Sequence, residues 1–448
     1  MGLVDWSKLP DLIAVALLTV AFTSVSRYWR NTISGVWLTG WLMIVLHFLA
    51  FMFLPAPGHW GDLANFVGMA ALACGGVLFM WASVPFRRHT SSRWMVALLM
   101  GTSTLYLGLL VFAPVASWAL APAAVLIGAL PLAIALLTMS RVRHPFRWAT
   151  VILYAALSIF LLIIQNHSAD GPSLALNAVF FTTYFVCCVN FLYSYRRATV
   201  GAFITIAGFF AWASVFVVGP YIAAFFPNFH LENEVWNLPK YVVAIGMILL
   251  LLEDQIEHNK YLALHDELTG LPNRRLFQDR LASALERARR TGSQAALLLV
   301  DLDHFKQVND TVGHHIGDEL LKRVSDAFVG RVRRSDTVAR TGGDEFSIIL
   351  EEPTSREDAE RVGHSLAQLL DNPFELQGHI VRVGATVGIA VFPQDASDAE
   401  SLCIAADLRM YAGKRVPSIS SAGESPYSFA QDLFSTANTK TGLQLAEK

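Results

Sequence analysis

The chain has 448 residues, of which 54% are hydrophobic and only 16% are charged, a composition that excludes an ordinary soluble protein. The net charge of -2 gives no indication of a nucleic-acid partner, and we expect none. Of the 70 charged residues, 18 lie in residues 1–250 and the other 52 in the last 198 residues. The sequence therefore predicts an apolar, membrane-embedded domain, residues 1–252, followed by a soluble part.

The apolar half contains runs long enough to cross a bilayer as helices. Two polar residues inside these runs, His47 and Asn190, are interpreted as hydrogen-bonded to neighbouring helices rather than as a ligand site. The runs predict nine spans, at about 9–26, 33–54, 63–85, 94–113, 117–139, 148–165, 173–194, 200–226 and 239–252.

Among the loops that connect the predicted spans, basic residues occur only in alternate ones, whereas the last intervening loop, PNFHLENEVWN, is acidic. By the positive-inside rule, this alternation places the N-terminus outside and the soluble part in the cytoplasm. The basic loops hold Arg27, Arg30, Arg87, Arg88, Arg93, Arg141, Arg143, Arg147, Arg196 and Arg197.

A helical linker, residues 253–265, is predicted to join the two halves. Apolar positions from Leu249 through Ile256 to Ala263 follow a 3-4 spacing, with Asn259 as the one polar residue in the seam. This spacing favours a short parallel coiled coil and hence a homodimer. The alternative is a single amphipathic linker helix.

The soluble part, residues 266–415, alternates helical and strand patterns. RRLFQDRLASALERARR has a helical period, and AALLLV is a continuous apolar run that predicts a strand buried on both faces. Then follow a helix at DTVGHHIGDELLKRVSDAFVGRV, a hairpin at VARTGGDEFSIIL, a helix at about 356–371, a strand pair around HIVRVGATVGIAVFP and a helix at DAESLCIAADLRMYAGKR. The order predicts an α/β sandwich with a central, mainly antiparallel sheet. Residues 416–448 are polar and aperiodic, which predicts a flexible tail.

Acidic residues converge at one edge of this predicted sheet. The buried strand ends at Asp301, and the hairpin tip carries Asp344 and Glu345 beside the paired Gly342 and Gly343. Glycine lets a ligand approach the backbone closely, and Mg²⁺ prefers a few carboxylates combined with substrate phosphates. Taken alone, such a hairpin is more often a glycine-rich turn with solvated acids.

Six segments in order resemble the GGDEF domain of diguanylate cyclases over about residues 260–415: DELTGLPNRR, VDLDHFKQVND, GHHIGDELL, RRSD, ARTGGDEFSIIL and AADLRMYAGK. The resemblance implies a fold similar to the nucleotidyl cyclase and polymerase palm, and the condensation of two GTP to cyclic di-GMP with release of two pyrophosphates. It further implies Mg²⁺ or Mn²⁺ as cofactor and a bacterial protein, so that the spans predicted from the apolar runs would lie in the inner membrane. It also implies a homodimer, because each domain binds one GTP.

The resemblance implies metal and catalytic roles for several residues. Asp301 and Asp344, with the backbone carbonyl of Leu302, would hold the metal, and Glu345 would assist at a second metal position. Asp344 would also act as base towards the 3′-hydroxyl, whose pKa a nearby metal lowers. Lys306 would neutralise charge on the triphosphate.

Substrate contacts follow from the same resemblance. Asn309 and Asp318 match the positions that contact guanine, and a carboxylate accepts from the N1–H and amine that adenine lacks, which favours GTP over ATP. Gly342 and Gly343 would let the chain pass close to the phosphates, and Lys414 would neutralise them.

A product-binding inhibitory site is implied by RRSD, in which Arg333 and Asp336 match the RxxD pattern. The planar fork of arginine suits phosphates and guanine edges. Arg361, on the next predicted helix, aligns loosely with a further arginine of that site. A surface Arg–Asp pair is the simpler alternative.

The chain departs from the family pattern in places. Thr341 stands where a bulky residue is usual, and Thr386 where serine is common. LRMYAGKR replaces the small residues usual around Lys414, and no GRN ending follows. No EAL-type phosphodiesterase domain is expected after the GGDEF domain.

These observations favour a membrane-anchored diguanylate cyclase regulated by its membrane domain and by product. The alternative is a non-catalytic cyclic di-GMP receptor that signals to the membrane domain, although the intact Asp301, Asp344 and Glu345 argue against it. A transporter or purely mechanical sensor is a third class, and the spans show few of the charged or broken helices it would need.

Overall fold

The computed structural model describes residues 3–26, 32–82, 91–112, 119–139, 147–165, 171–195, 199–226, 233–353 and 355–414. The predicted tail, 416–448, lies outside these residues. So do the loop arginines Arg27, Arg30, Arg87, Arg88, Arg141, Arg143, Arg196 and Arg197. The chain divides into two compact units after Ile256.

Within the described ranges, the apolar half forms helices at the predicted positions. These are α1 Leu9–Ser26, α2 Thr32–Phe51, α3 His59–Ala82, α4 Ser91–Phe112, α5 Leu120–Met139, α6 Arg147–Gln165, α7 Gly171–Ser194, α8 Val200–Phe225 and α9 Asn233–Leu264. In the described part of the chain, six helices are long and apolar enough to cross a membrane, and α4 to α6 contain shorter apolar stretches. By length and composition, the chain is a multi-pass membrane protein, and the count of nine spans stays a prediction.

The last helix of this half differs from its predicted extent at both ends. α9 begins at Asn233, inside the segment predicted as an acidic loop, and continues to Leu264 with Pro239 in its interior. The proline is the seventh residue of the helix, beyond the first four whose N–H groups lack intrahelical partners, so it removes one backbone hydrogen bond near the start of α9. The continuation past residue 252 agrees with both interpretations of the linker.

The interior of the membrane half contains a polar cluster that the sequence did not reveal. The carboxylate of Asp11 accepts hydrogen bonds from Asn237 Nδ2, at 2.6 Å, and from the Tyr241 hydroxyl. Lys240 Nζ donates to Asn237 Oδ1 at 2.6 Å. Asp11 is 3% exposed and Lys240 7% exposed, so these groups link α1 to α9 out of water.

His47 behaves as expected from its position in a span. Its Nδ1–H donates to the carbonyl of Gly68, 2.9 Å away, so α2 is bonded to α3. The predicted bond of His47 to a neighbouring helix is confirmed, and the same prediction for Asn190 stays a prediction.

The soluble half contains an α/β domain. Its elements are α10 Arg274–Thr291, β1 Ala295–Asp303, α11 Phe305–Val312, α12 His314–Arg331, β2 Thr337–Arg340, β3 Glu345–Glu351, α13 Arg356–Leu370, β4 Phe374–Leu376, β5 His379–Val381, β6 Gly384–Phe392 and α14 Ala399–Lys414. Four strands form one sheet in the order β2-β3-β1-β6, with every neighbouring pair antiparallel. The predicted fold class is confirmed.

The central strand is buried on both faces, as its continuous apolar run predicts. Leu298 packs into a core that includes residues of α12 and α13, whereas Leu297 and Leu299 pack with residues of α10 and α14 on the other face. Because successive side chains of a strand point to opposite faces, both sides require apolar residues.

Two predicted elements are wrong in detail. The helix expected over DTVGHHIGDELLKRVSDAFVGRV is two helices, broken at Gly313, whose φ of 91° lies in the left-handed region that favours glycine. The predicted strand pair does not form: β5 pairs with β4 in a separate two-stranded sheet, while β6 joins the central sheet.

Candidate active site

The register of the central sheet brings the predicted acids together. Asp301, near the end of β1, lies opposite Glu345, the first residue of β3. The N–H of Leu302 donates to the carbonyl of Asp344 at 3.2 Å, so the hairpin tip is bonded to the end of β1. Asp301 of β1, Glu345 of β3 and Asp344, the residue before β3, therefore lie at the same end of the sheet.

The paired glycines have different steric surroundings. A Cβ on Gly342 would lie 2.3 Å from Oε2 of Glu345, whereas one on Gly343 would meet nothing within 4 Å. Gly342 therefore leaves room for the Glu345 carboxylate, and Gly343 leaves the backbone open at the tip. Thr341, a departure from the family pattern, is buried, and its hydroxyl lies 2.9 Å from that of Ser347.

A lysine from the last helix reaches the acids. Lys414 Nζ lies 2.7 Å from Oδ2 of Asp301; the Asp301 side chain is 13% exposed and that of Lys414 40% exposed. Lys306, on α11, is exposed. Thr386, the other departure beside the site, donates its hydroxyl to Asp303 at 2.8 Å.

The acids carry more negative charge than their surroundings balance. Burial, together with the charges of Asp301 and Asp344, raises the pKa of Glu345 to about 7, although Arg274 and Lys414 oppose the shift. Burial also raises the pKa of Asp301 despite the ion pair with Lys414. Near neutral pH, Glu345 is therefore only partly ionised, and a bound cation would favour its charged form.

In the described ranges, no three Asp, Glu, His or Cys side chains already stand together as a metal site. Mg²⁺ commonly takes one or two carboxylates and completes its shell with water and substrate phosphates. Asp301 and Asp344 supply that donor set, and the crowding of like charge beside them fits a cation. In the structure as it stands, Lys414 occupies one oxygen of Asp301.

The predicted guanine-contacting residues lie on neighbouring helices. A Cβ on Gly317 would come within 1.9 Å of Oδ1 of Asn309, so the glycine lets α11 lie close to α12 at this point. Asp318, the next residue, is exposed. The sequence reasoning missed Gly317, although a glycine inside the helical period of GHHIGDELL was a signal for close packing.

Arg340 is a second residue that the sequence reasoning missed. Its Nε and Nη2 donate to the carbonyl of Gly343 at 3.1 and 2.7 Å, and its Nη1 donates to Asp266 at 2.9 Å. Asp266 also accepts from the backbone N–H and hydroxyl of Thr269. Arg340 thus bonds the turn of DELTG to the glycine pair, and the Asp–Thr spacing of DELTG predicts the turn but not its bond to Arg340.

The RxxD residues lie in a turn between α12 and β2. The Asp336 carboxylate accepts from the N–H of Arg333 at 2.9 Å and from the N–H of Glu351 at 3.2 Å. The Arg333 side chain is exposed. Arg361 forms an ion pair with Asp358 within α13.

Known proteins resemble the soluble half of this chain in sequence. Residues 263–418 match the family described as diguanylate cyclase, GGDEF domain. The bifunctional diguanylate cyclase/cyclic di-GMP phosphodiesterase MucR of Pseudomonas aeruginosa is 38% identical over 221 residues, which cover 46% of this chain and 31% of MucR. Diguanylate cyclase TpbB of the same organism is 39% identical over 165 residues, covering 37% of this chain and 38% of TpbB.

Among solved structures, the isolated GGDEF domain of TpbB is 40% identical, with a TM-score of 0.34, and the match covers 34% of this chain and 90% of that one. The chain spans 31% and 38% of the length of the two curated relatives, so the likeness concerns one domain. The soluble half of this chain carries a GGDEF domain of the diguanylate cyclase family. It is preceded by helices long and apolar enough to anchor it in a membrane.

Proposed function

We propose that this protein is a diguanylate cyclase, which condenses two GTP into cyclic di-GMP and two pyrophosphates. The observation that carries the proposal is the meeting of Asp301, Glu345 and Lys414 at a hairpin tip whose Gly343 leaves the backbone open. The family match and the two relatives named as diguanylate cyclases support it.

A divalent cation, Mg²⁺ or Mn²⁺, belongs to this proposal. Asp301, Asp344 and the carbonyl of Leu302 would hold it, with Glu345 assisting at a second position. When bound, such an ion neutralises charge on the phosphate oxygens and on the leaving pyrophosphate. Lys414 would then exchange its contact with Asp301 for one with the triphosphate, because a phosphate offers it more negative charge.

The reaction joins two nucleotides held by two domains. The 3′-oxygen of each GTP forms a bond to the α-phosphorus of the other, and the bond from that phosphorus to pyrophosphate breaks. Asp344 accepts the proton of the hydroxyl, while Lys306 and Lys414 offset charge on the triphosphate. Asn309 and Asp318 would bind guanine, on the two helices that Gly317 allows to approach.

Turnover on this scheme requires two copies of the chain, since one domain binds one GTP. The segment of α9 from 254 to 263 is largely exposed and carries Ile256, 53% exposed, and Tyr261, 49% exposed. We propose that it pairs in a homodimer and that the membrane half, with its N-terminus outside and the GGDEF domain in the cytoplasm, adjusts that pairing. Cysteine cross-linking at position 256 in membranes tests this, and absence of dimer would contradict it.

Product inhibition is the remaining part of the proposal. The exposed guanidinium of Arg333 would bind cyclic di-GMP, with Asp336 shaping the turn that presents it. Arg361 would serve as the further arginine after leaving Asp358.

The test uses the detergent-solubilised full-length protein with GTP and Mg²⁺, following cyclic di-GMP and pyrophosphate by chromatography. Asp344→Ala should abolish both products, whereas Asp326→Ala, which removes an exposed acid of α12, should leave them unchanged. If neither wild type nor variant forms product but cyclic di-GMP binds and Arg333→Ala abolishes the binding, the protein is a receptor and the proposal fails.

A further inference from the structure

The last helix of the GGDEF domain lies very close to β6 at two glycines. A Cβ on Gly388 of β6 would lie 2.1 Å from the carbonyl oxygen of Ala406, and one on Gly413 would lie 3.1 Å from Thr386. Close backbone contact of this kind sets the distance of α14 from the sheet. The buried side chains of α14, which end at Met410, pack with residues of β1 and β6 and leave the last turn of the helix outside this core.

Arg409 adds hydrogen bonds that restrain the position of α14. Its Nη1 and Nη2 donate to the two carboxylate oxygens of Asp395, each at 2.7 Å, and Nη1 also donates to the carbonyl of Ile389 at 2.6 Å. A bidentate pair fixes the orientation of both planar groups. LRMYAGKR departs from the small residues usual at this place in the family, and Arg409 is one of its long residues.

Asp395 is itself anchored to two other elements. Its Oδ2 accepts from the N–H of Val391, in β6, at 2.7 Å and from Arg356 Nη2, in α13, at 2.6 Å. The hydrogen bond from Arg409, with those from Arg356 and Val391, holds the pKa of Asp395 well below its usual range. The carboxylate therefore stays ionised at every pH at which activity is measured, and it bonds α13, α14 and β6 at one point.

Lys414 lies on the same helix as Arg409, at its C-terminal end. It is the last residue of α14, where helices fray most easily, and it follows Arg409 by five residues, or about 7.5 Å along the axis at ~1.5 Å per residue. We propose that Arg409 and Asp395 are positioning residues that hold the end of α14 so that Lys414 reaches Asp301 and the triphosphate of GTP. The inference rests on the proposed function, since it gives a role in GTP binding to residues that do not touch GTP.

The experiment measures GTP binding and turnover in full-length wild type, Arg409→Ala, Lys414→Ala and the double variant. Binding is measured with 3′-deoxy-GTP, which lacks the attacking hydroxyl and cannot be condensed. Arg409→Ala should weaken binding roughly fivefold and raise the KM for GTP to a similar extent, because the lost fork disorders Lys414. The double variant should bind no more weakly than Lys414→Ala, since Arg409 acts through that lysine.

Two further variants separate positioning from simple stability. Arg409→Lys keeps the charge but not the fork, so binding should recover in part. Arg287→Ala removes a comparable pair, between Arg287 of α10 and Glu351 of β3, and should leave 3′-deoxy-GTP binding unchanged. Binding losses that add in the double variant, or an Arg409→Ala protein that melts earlier yet binds normally, would overturn the inference. Wild type that binds 3′-deoxy-GTP without making cyclic di-GMP would instead contradict the proposed cyclase.

Discussion

The two halves of the molecule differ in whether the charges of their buried side chains balance one another. In the membrane half, Asp11 and Lys240 have opposite charges and share Asn237 as a common partner. At the hairpin tip of the GGDEF domain, Asp301 and Glu345 have like charges, and the pKa of Glu345 is raised to about 7. The polar groups of the first cluster bond one another, whereas the second cluster holds like charges that the proposed divalent cation would offset. A set of unbalanced carboxylates therefore indicates a site more strongly than buried charge alone.

The largest effect should come from breaking the balanced cluster. Asp11→Ala removes the buried carboxylate that accepts from Asn237 and Tyr241 and that offsets the charge of Lys240 through Asn237, and breaking a buried charged network of this kind costs about 3–5 kcal/mol. We expect most of the variant protein to unfold, on heating in detergent, at temperatures at which the wild type stays folded. Asp62→Ala, at an exposed acid of α3, is the control, and Asp11→Leu with Lys240→Leu should recover much of the loss.

At the unbalanced cluster, removing charge should harm function and not folding. Asp301→Asn abolishes a proposed metal carboxylate and the ion pair with Lys414, and we expect cyclic di-GMP formation to fall about 100-fold or more. The initial rate at saturating GTP and Mg²⁺ measures this. Unchanged turnover would remove Asp301 from the metal site.

Gly342→Ala tests the steric part of the same site. The added methyl group would meet Oε2 of Glu345 at 2.3 Å and must displace that carboxylate. A roughly tenfold loss of turnover is expected, as for a misplaced assisting group. Gly343→Ala, where the Cβ meets nothing within 4 Å, should retain more activity in the same assay, and equal losses would contradict the distinction.

The smallest effect concerns pH. Glu345 has a pKa raised from 4.5 to about 7, so the folded protein binds more protons than the unfolded chain between these values. Stability should therefore fall as pH rises from about 5 to about 7, by about 1 kcal/mol after allowance for partial exposure. Glu345→Gln should flatten this part of the profile in metal-free thermal melts, and an unchanged slope would refute the assignment to Glu345.

Sequence patterns located most elements because each pattern reports burial. The run AALLLV became β1, covered on both faces, and the periods of α10 and α13 gave their positions within a residue or two. The break at Gly313 was missed because a glycine within a helical period is compatible with either outcome. Which strand pairs with β5 depends on tertiary contacts that no local pattern carries.

Some residues of the candidate site were predictable from the sequence and others were not. Acids with their own local signal, Asp301 and Asp344, were recognisable from the sequence. Arg340 and Arg409 were not, because their partners Asp266 and Asp395 lie 74 and 14 residues away and are adjacent only in the folded chain. Long side chains that contact a site from outside it have no characteristic spacing from their partners along the sequence, so no sequence pattern predicts these contacts.

The turn that contains Asp336 has a consequence for genetics. Its carboxylate secures the backbone of Arg333 and Glu351, whereas the Arg333 guanidinium projects outward. On the proposed product inhibition, a selection for mutants that escape feedback and keep full activity should yield changes at Arg333 and avoid Asp336. We expect Arg333 alone of these two residues to vary without loss of the backbone hydrogen bonds that hold the turn.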